Sequence, residues 1–296
     1  MEYVIETNAL TKRYGEKAAV INMSLHIQKG AIYGLIGKNG AGKTTLMKLL
    51  LGITPANSGE IKLFGGTDLD ASRRKIGSIL EMPALYPNET AFENLKRFAI
   101  LSPTSDDEIK QLLAFVGLAT AGAKKVSAFS LGMRQRLGLA IALLGKPEML
   151  ILDEPINGLD PAGIKEVRDV ILEMNAKGVT FLISSHLLDE LGKIATNYGI
   201  MSDGVLVEEL TAAELEERSR TSLKMIVGDP ELAIATLTRN HPEIQMEQSH
   251  HIIRILSPIE DVSLIVEELV KNGVRLYQVT NENKGVEAYF IERMGR

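Results

Sequence analysis

The 296-residue sequence contains no cysteine. That excludes a disulfide framework and thiolate metal sites, and it fits a reducing compartment. Positive charge is not in excess either, since 33 Lys and Arg stand against 38 Asp and Glu, a formal net charge of -5. With no basic field to attract a phosphate backbone, a nucleic-acid partner is not expected. Long apolar runs are missing as well. The most apolar tract, residues 137–152, is interrupted by Gly145, Lys146, Pro147 and Glu148, too broken to span a bilayer. The opening MEYVIETNALTKRY has no basic segment followed by an apolar one, so no secretory signal is expected. Low-complexity segments and internal repeats are also absent. Any membrane role therefore requires a partner.

What the sequence does contain is ordinary globular composition, 45% hydrophobic and 24% charged, enough for a sizeable core in one large domain or two. Strand-like runs YVIETNAL, AVINMSLHI and AIYGLIG lead into KNGAGKTTLMKLLLG, a loop feeding an amphipathic helix closed by Gly52. A buried strand is also expected before Glu81, in KIGSILE. Residues 88–144 read as helical, with a Ser105/Glu108 capping box and a stop at Gly117. Further strands are expected in MLILDEP, TFLISS and GIMSDG. Strands alternating with helices predict an α/β fold, a mostly parallel sheet with helices on its faces.

The charged run TAAELEERSR then changes the texture, and the domain boundary is placed there, giving domains 1–215 and 216–296. Beyond it come strand LKMIV, helix ELAIATLTRN, strands EIQME and HIIRIL, helix IEDVSLIVEELVKN, strand RLYQVT and a last helix GVEAYFIERM. The first six elements run β-α-β-β-α-β, the order of a small α+β ferredoxin-like domain. Asp229-Pro230 suits a helix start and Asn272-Gly273 a helix stop.

Two stretches carry chemistry. GKNGAGKT, Gly37 to Thr44, fits G-x-x-x-x-G-K-[ST] between a strand and a helix, the context of a phosphate-binding P-loop. Its glycines let backbone N–H groups of Asn39, Gly40, Ala41 and Gly42 approach phosphate oxygens, and the helix N-terminus adds positive potential. Lys43 is expected to reach the β- and γ-phosphates, and Thr44 to bind Mg²⁺. The second stretch, MLILDEP, ends an apolar strand in Asp153, at the sheet edge where open α/β sheets bind ligands. Asp153 would hold Mg²⁺, directly or through water, with Glu154 placed to activate the attacking water.

With FSLGMRQRL (Phe129–Leu137), NGLD (Asn157–Asp160) and His186 after TFLISS, the sequence resembles the ATP-binding-cassette (ABC) transporter ATPases from about Tyr3 to Leu210. FSLGMRQRL resembles the family signature LSGGQ, keeping Ser130 and Gly132 and departing at Leu131 and Met133. Ser130 equally suits a plain helix N-cap. The resemblance implies a P-loop NTPase domain with a RecA-like core, a helical subdomain and an antiparallel β portion. It gives His186 the role of γ-phosphate sensor and Tyr14, in LTKRYG, that of stacking on adenine; a half-buried strand-end tyrosine is the alternative. No NKxD element for guanine occurs.

The family's glutamine after the IG stretch is here Glu81, in KIGSILEMPALYPNETAFENL. With SLGMRQRL, this resembles the ATPases of bacitracin-resistance and lantibiotic-immunity exporters. Glu81 is then expected to act in catalysis and at the Mg²⁺ site, and to connect to the permease; the alternative is that it points to solvent. Leu85 and Tyr86 either receive a permease helix or are ordinary core contacts.

The resemblance implies a cytoplasmic ATPase docked on separate membrane permease subunits, its two copies closing around ATP. Lys43, Thr44, Thr45, Asp153, Glu154 and His186 of one copy would face Ser130 and Gly132 of the other. The rivals are an exporter ATPase for another substrate, a soluble ABC ATPase without a permease, and a non-hydrolysing switch, which Glu154 argues against. His250-His251 lacks a third ligand and is taken as solvent-facing.

Overall fold

The computed structural model describes residues 2–218, 222–257, 259, 261–282, 289–290 and 293–294. Three strands, Ile32–Ile36, Met149–Asp153 and Thr180–Ser185, are buried along their whole length. Runs without polar alternation suit strands covered on both faces, as in parallel sheets flanked by helices. They form the middle of a six-stranded sheet ordered Val205–Thr211, Asn197–Ser202, Ile32–Ile36, Thr180–Ser185, Met149–Asp153, Ile76–Ile79. All its pairings are parallel except that of Val205–Thr211, which joins antiparallel at one edge.

A second sheet of four antiparallel strands is built on Tyr3–Tyr14, which pairs with Lys17–Met23, His26–Gln28 and Ser58–Leu63. The helix Lys43–Leu50 buries Leu46, Met47, Leu49 and Leu50 in one cluster with Leu10, Met23, Leu35 and Ile151, so a single core joins both sheets. That packing fixes the helix start where Ile32–Ile36 ends, one strand away from Thr180–Ser185 and two from Met149–Asp153.

The helical stretch resolves into Ala91–Phe98, Asp106–Phe115 and Leu131–Ala142. Ser105 and Glu108 form the expected capping box, Thr90 and Glu93 form a second, and Gly117 (φ 68°) follows the second helix. No helix among the described residues is long and apolar enough to cross a membrane.

Several elements differ from expectation. Ser58–Leu63 is a strand although only Leu63 is fully buried; its apolar residues, Ile61 and Leu63, make an alternation too short to mark a strand by itself. Val205–Thr211 is a further edge strand, and Leu69–Arg73 a short helix capped by Asp68. The strand before Glu81 is Ile76–Ile79, a partly exposed edge strand in which only Ile79 is buried, not a buried one.

The chain divides into two compact units, Met1–Ala212 with Arg293–Arg296, and Ala213–Glu292. In the second, strands Ser222–Val227, Met246–Ser249, Ile252–Ile255 and Leu276–Glu282 and helices Pro230–Asn240 and Val262–Lys271 follow the β-α-β-β-α-β order. The sheet is antiparallel, ordered Met246–Ser249, Ile252–Ile255, Ser222–Val227, Leu276–Glu282, the ferredoxin-like arrangement. Asp229 caps the first helix with Pro230 behind it, and Gly273 (φ 83°) follows the second. Leu237, Ile265 and Leu269 from the helices pack on Met225, Ile253 and Ile255 of the sheet. The expected last helix, residues 285–294, falls largely outside the described residues.

Candidate functional site

The turn from Ile36 into the helix Lys43–Leu50 is possible because Gly42 sits at φ 103°, ψ 2°. A Cβ there would lie 2.1 Å from the Ala19 carbonyl oxygen. The loop therefore presses its backbone against the neighbouring strand and turns its other side outward. Residues 39–45, Tyr14, Glu81, Asp153 and Glu154 line one cleft of about 550 Å³, together with Gln135 and Asn157.

Lys43 is only 6% exposed. Its Nζ donates to the Gly37 carbonyl at 2.6 Å and lies 3.7 Å from Glu154 Oε1. Thr44 Oγ1 donates to Asp153 Oδ2 at 2.6 Å, which ties the loop helix to the end of Met149–Asp153. The other carboxylate oxygen, Oδ1, accepts from Ser184 Oγ at 2.5 Å, and Ser184 Oγ in turn accepts from the Glu154 N–H at 2.9 Å. One buried hydroxyl thus holds two consecutive acidic residues.

Glu154 has φ 51°, uncommon for a residue with a side chain. The turn sends its carboxylate toward His186, whose Nδ1 lies 2.7 Å from Oε2. A carboxylate only accepts, so Nδ1 carries the proton. The remaining oxygen, Oε1, is buried and has no hydrogen-bond partner. Such a group is costly to leave unsatisfied, and its position fits an incoming donor such as water.

These hydroxyl and carboxylate oxygens suit Mg²⁺, which prefers hard oxygen ligands and usually takes one or two carboxylates with phosphate and water. Among the described residues no group of three or more His, Asp or Glu could hold a metal. A cation at Thr44 and Asp153 would therefore need further oxygen ligands from a bound phosphate. The glycine cradle beside it fits those phosphates.

Glu81 reaches the rim of this cleft, but its ionic partner is Lys48 Nζ at 3.3 Å, not Thr44 or Asp153. The side chain is 70% exposed, close to the solvent-facing alternative, and its backbone lies at φ 62°. Tyr14 lines the cleft at the end of Tyr3–Tyr14 and is 50% exposed, a position that fits both the stacking role and the half-buried strand-end alternative. Tyr86 is likewise partly exposed, its ring near the Arg97 guanidinium and tilted against Phe98.

Ser130 and Gly132 do not line the cleft of their own chain. Ser130 caps Leu131–Ala142, accepting the Met133 N–H at 3.3 Å, and Asp160 caps Pro161–Ala176 in the same way. Sequence reading missed Ser184, Lys48 and Gln135. Only the Ser-Ser pair before His186 gave any signal for the first; the other two are ordinary helix residues until the packing is known.

The family model for ABC transporter matches residues 20–157. The bacitracin transport ATP-binding protein BcrA of Enterococcus faecalis is 41% identical over 300 residues, covering 100% of this chain and 97% of that protein. The chain belongs to the ABC transporter ATP-binding proteins. The lantibiotic transport ATP-binding protein SrtF of Streptococcus pyogenes is 43% identical over 206 residues, 70% of this chain and 90% of that one. Among solved structures, the ADP conformation of MJ1267, an ATP-binding cassette of an ABC transporter, superposes with a TM-score of 0.66 at 26% identity, covering 72% of this chain and 93% of that one. This ABC protein is therefore an ATPase that binds adenine nucleotide, with the P-loop NTPase fold of the family. ABC ATPase domains dimerise and work with membrane permease subunits.

Proposed function

We propose that this chain hydrolyses ATP to drive export of an antimicrobial peptide of the bacitracin or lantibiotic class, docked on the inner face of the cell membrane through separate permease subunits. The observation that carries the catalytic part is the linked set Thr44–Asp153–Ser184–Glu154–His186, with Lys43 beside Glu154. The substrate class rests on the similarity to BcrA, a bacitracin transport ATP-binding protein, and SrtF, a lantibiotic transport ATP-binding protein. Resistance to bacitracin and to a lantibiotic, measured in a sensitive host carrying the chain and its permease, tests it. Protection against either, lost with Glu154→Gln, supports the assignment; no protection against both overturns the substrate class.

Each residue then has one task. Lys43 leaves the Gly37 carbonyl to bind β- and γ-phosphate oxygens. Thr44 and Asp153 would hold Mg²⁺, which when bound would supply positive charge to offset that developing on the phosphates. Glu154 Oε1 accepts the proton of the attacking water, while His186 keeps the carboxylate oriented through Nδ1. Tyr14 stacks on adenine. Ser130 and Gly132, outside their own cleft, complete the site of a second copy, so that the working unit is a homodimer. ATP binds the closed pair more tightly than the open one, and that difference does work on the permease.

Glu81 is the residue in this proposal that couples the nucleotide site to the permease. Glu81→Gln and Glu81→Ala should both bind ATP while losing transport or its Mg²⁺ dependence. If both variants hydrolyse and transport like the parent across a Mg²⁺ titration, the carboxylate has no coupling role. Residues 213–292 are proposed as an assembly or regulatory domain, since all the catalytic groups above lie before it. Excision of residues 213–292, which keeps residues 293–296, should leave ATP affinity unchanged and alter self-association or transport. A loss of ATP affinity on excision would defeat that assignment.

A further inference from the structure

The strand Tyr3–Tyr14 changes register against Lys17–Met23 between Leu10 and Lys12, and again between Lys12 and Arg13. Irregularities of this kind bend a strand and re-aim the side chain at the break. Here the result is that Lys12 Nζ lies over the Tyr14 ring, 5.0 Å from its centroid. Lys12 is 8% exposed, and its Nζ donates to the Pro55 carbonyl at 2.7 Å. No carboxylate among the described residues pairs with it. A buried ammonium is unfavourable unless its charge is met, and the negative face of an aromatic ring meets part of it.

Tyr14 lines the nucleotide cleft, whereas Lys12 does not. The cation lies over the ring without lining the cleft, and the tyrosine is half exposed. We propose that Lys12 is a positioning residue for the nucleobase, fixing and polarising the Tyr14 ring on which adenine stacks. This rests on the stacking role proposed above for Tyr14. Two effects follow from the geometry. Contact with the ammonium restricts a half-exposed ring that would otherwise sample several rotamers. The ammonium also draws π density toward itself, which leaves the opposite face less negative and better matched to an electron-rich purine.

The test uses the full chain and two ligands, MgATP and magnesium tripolyphosphate, which has the phosphates without the base. Lys12→Met should weaken MgATP roughly fivefold and leave tripolyphosphate unchanged. Lys12→Arg, which keeps a cation, should restore most of the loss. In a Tyr14→Ala background, Lys12→Met should have no further effect. A merely structural role for Lys12 would weaken both ligands together. Parent-like MgATP binding by Lys12→Met, equal weakening of both ligands, or a full effect in the absence of the Tyr14 ring each overturns the proposal. If Tyr14→Ala itself binds MgATP like the parent, the stacking role falls and the Lys12 proposal with it; if only Lys12→Met is silent, the stacking role stands.

Discussion

Glu154→Gln is expected to bind ATP and lose turnover by about 10²–10⁴-fold, the range for removing a positioned general base. The amide keeps the size of the side chain, so the packing around φ 51° and the Ser184 contact to the backbone N–H persist. What disappears is the basic oxygen Oε1, buried and without a hydrogen-bond partner. The negative charge 3.7 Å from Lys43 Nζ goes too, which favours rather than hinders phosphate at that lysine. An ATP-bound dimer should therefore accumulate, visible as a shift in sedimentation on adding MgATP. Steady-state hydrolysis near the parent rate by the purified variant would show that another group takes the proton.

Gly42→Ala should weaken ATP binding by at least about 30-fold, the equivalent of roughly 2 kcal/mol. A side chain at φ 103° already costs about 1–2 kcal/mol, and the new methyl would overlap the Ala19 carbonyl oxygen at 2.1 Å and Met201 Cε at 2.7 Å. The carbonyl belongs to a paired strand and cannot move away. The loop must shift instead, which turns its N–H groups off the phosphate positions, and nucleotide binding has to restore them. Gly178→Ala separates the two contributions. Gly178 lies at φ 94° with nothing within 4 Å of an added Cβ, so the variant should lose thermal stability and keep its ATP affinity. ATP binding by Gly42→Ala close to that of the parent would mean that the loop does not hold phosphate in this conformation.

How much of this was legible beforehand follows from local chemistry. The P-loop and the Asp153–Glu154 pair were readable because glycine spacing and an apolar run ending in acid are local patterns. The capping box at Ser105/Glu108 and the β-α-β-β-α-β order were readable for the same reason. Ser184 was not, since its role depends on strand register: Asp153 faces Ser184 only because Met149–Asp153 and Thr180–Ser185 are parallel neighbours. Lys48 meets Glu81 across a separation of 33 residues, and nothing in either segment signals the other. The strand Ser58–Leu63 was not legible because only Ile61 and Leu63 reach the core, too few to show a period. Edge strands borrow their order from a partner, here Tyr3–Tyr14, and not from a pattern of their own.

The central claim is that Lys43, Thr44, Asp153, Glu154 and His186 of one copy form an ATP-hydrolysing site completed by Ser130 and Gly132 of another. A crystal structure of Glu154→Gln with ATP and Mn²⁺, the metal located by its anomalous signal, tests it most directly. The account predicts Mn²⁺ on Thr44 Oγ1 and Asp153, Lys43 on the β- and γ-phosphates, and Ser130 of a second copy at the γ-phosphate. A metal elsewhere, or a γ-phosphate with no residue of a second copy against it, would contradict the account.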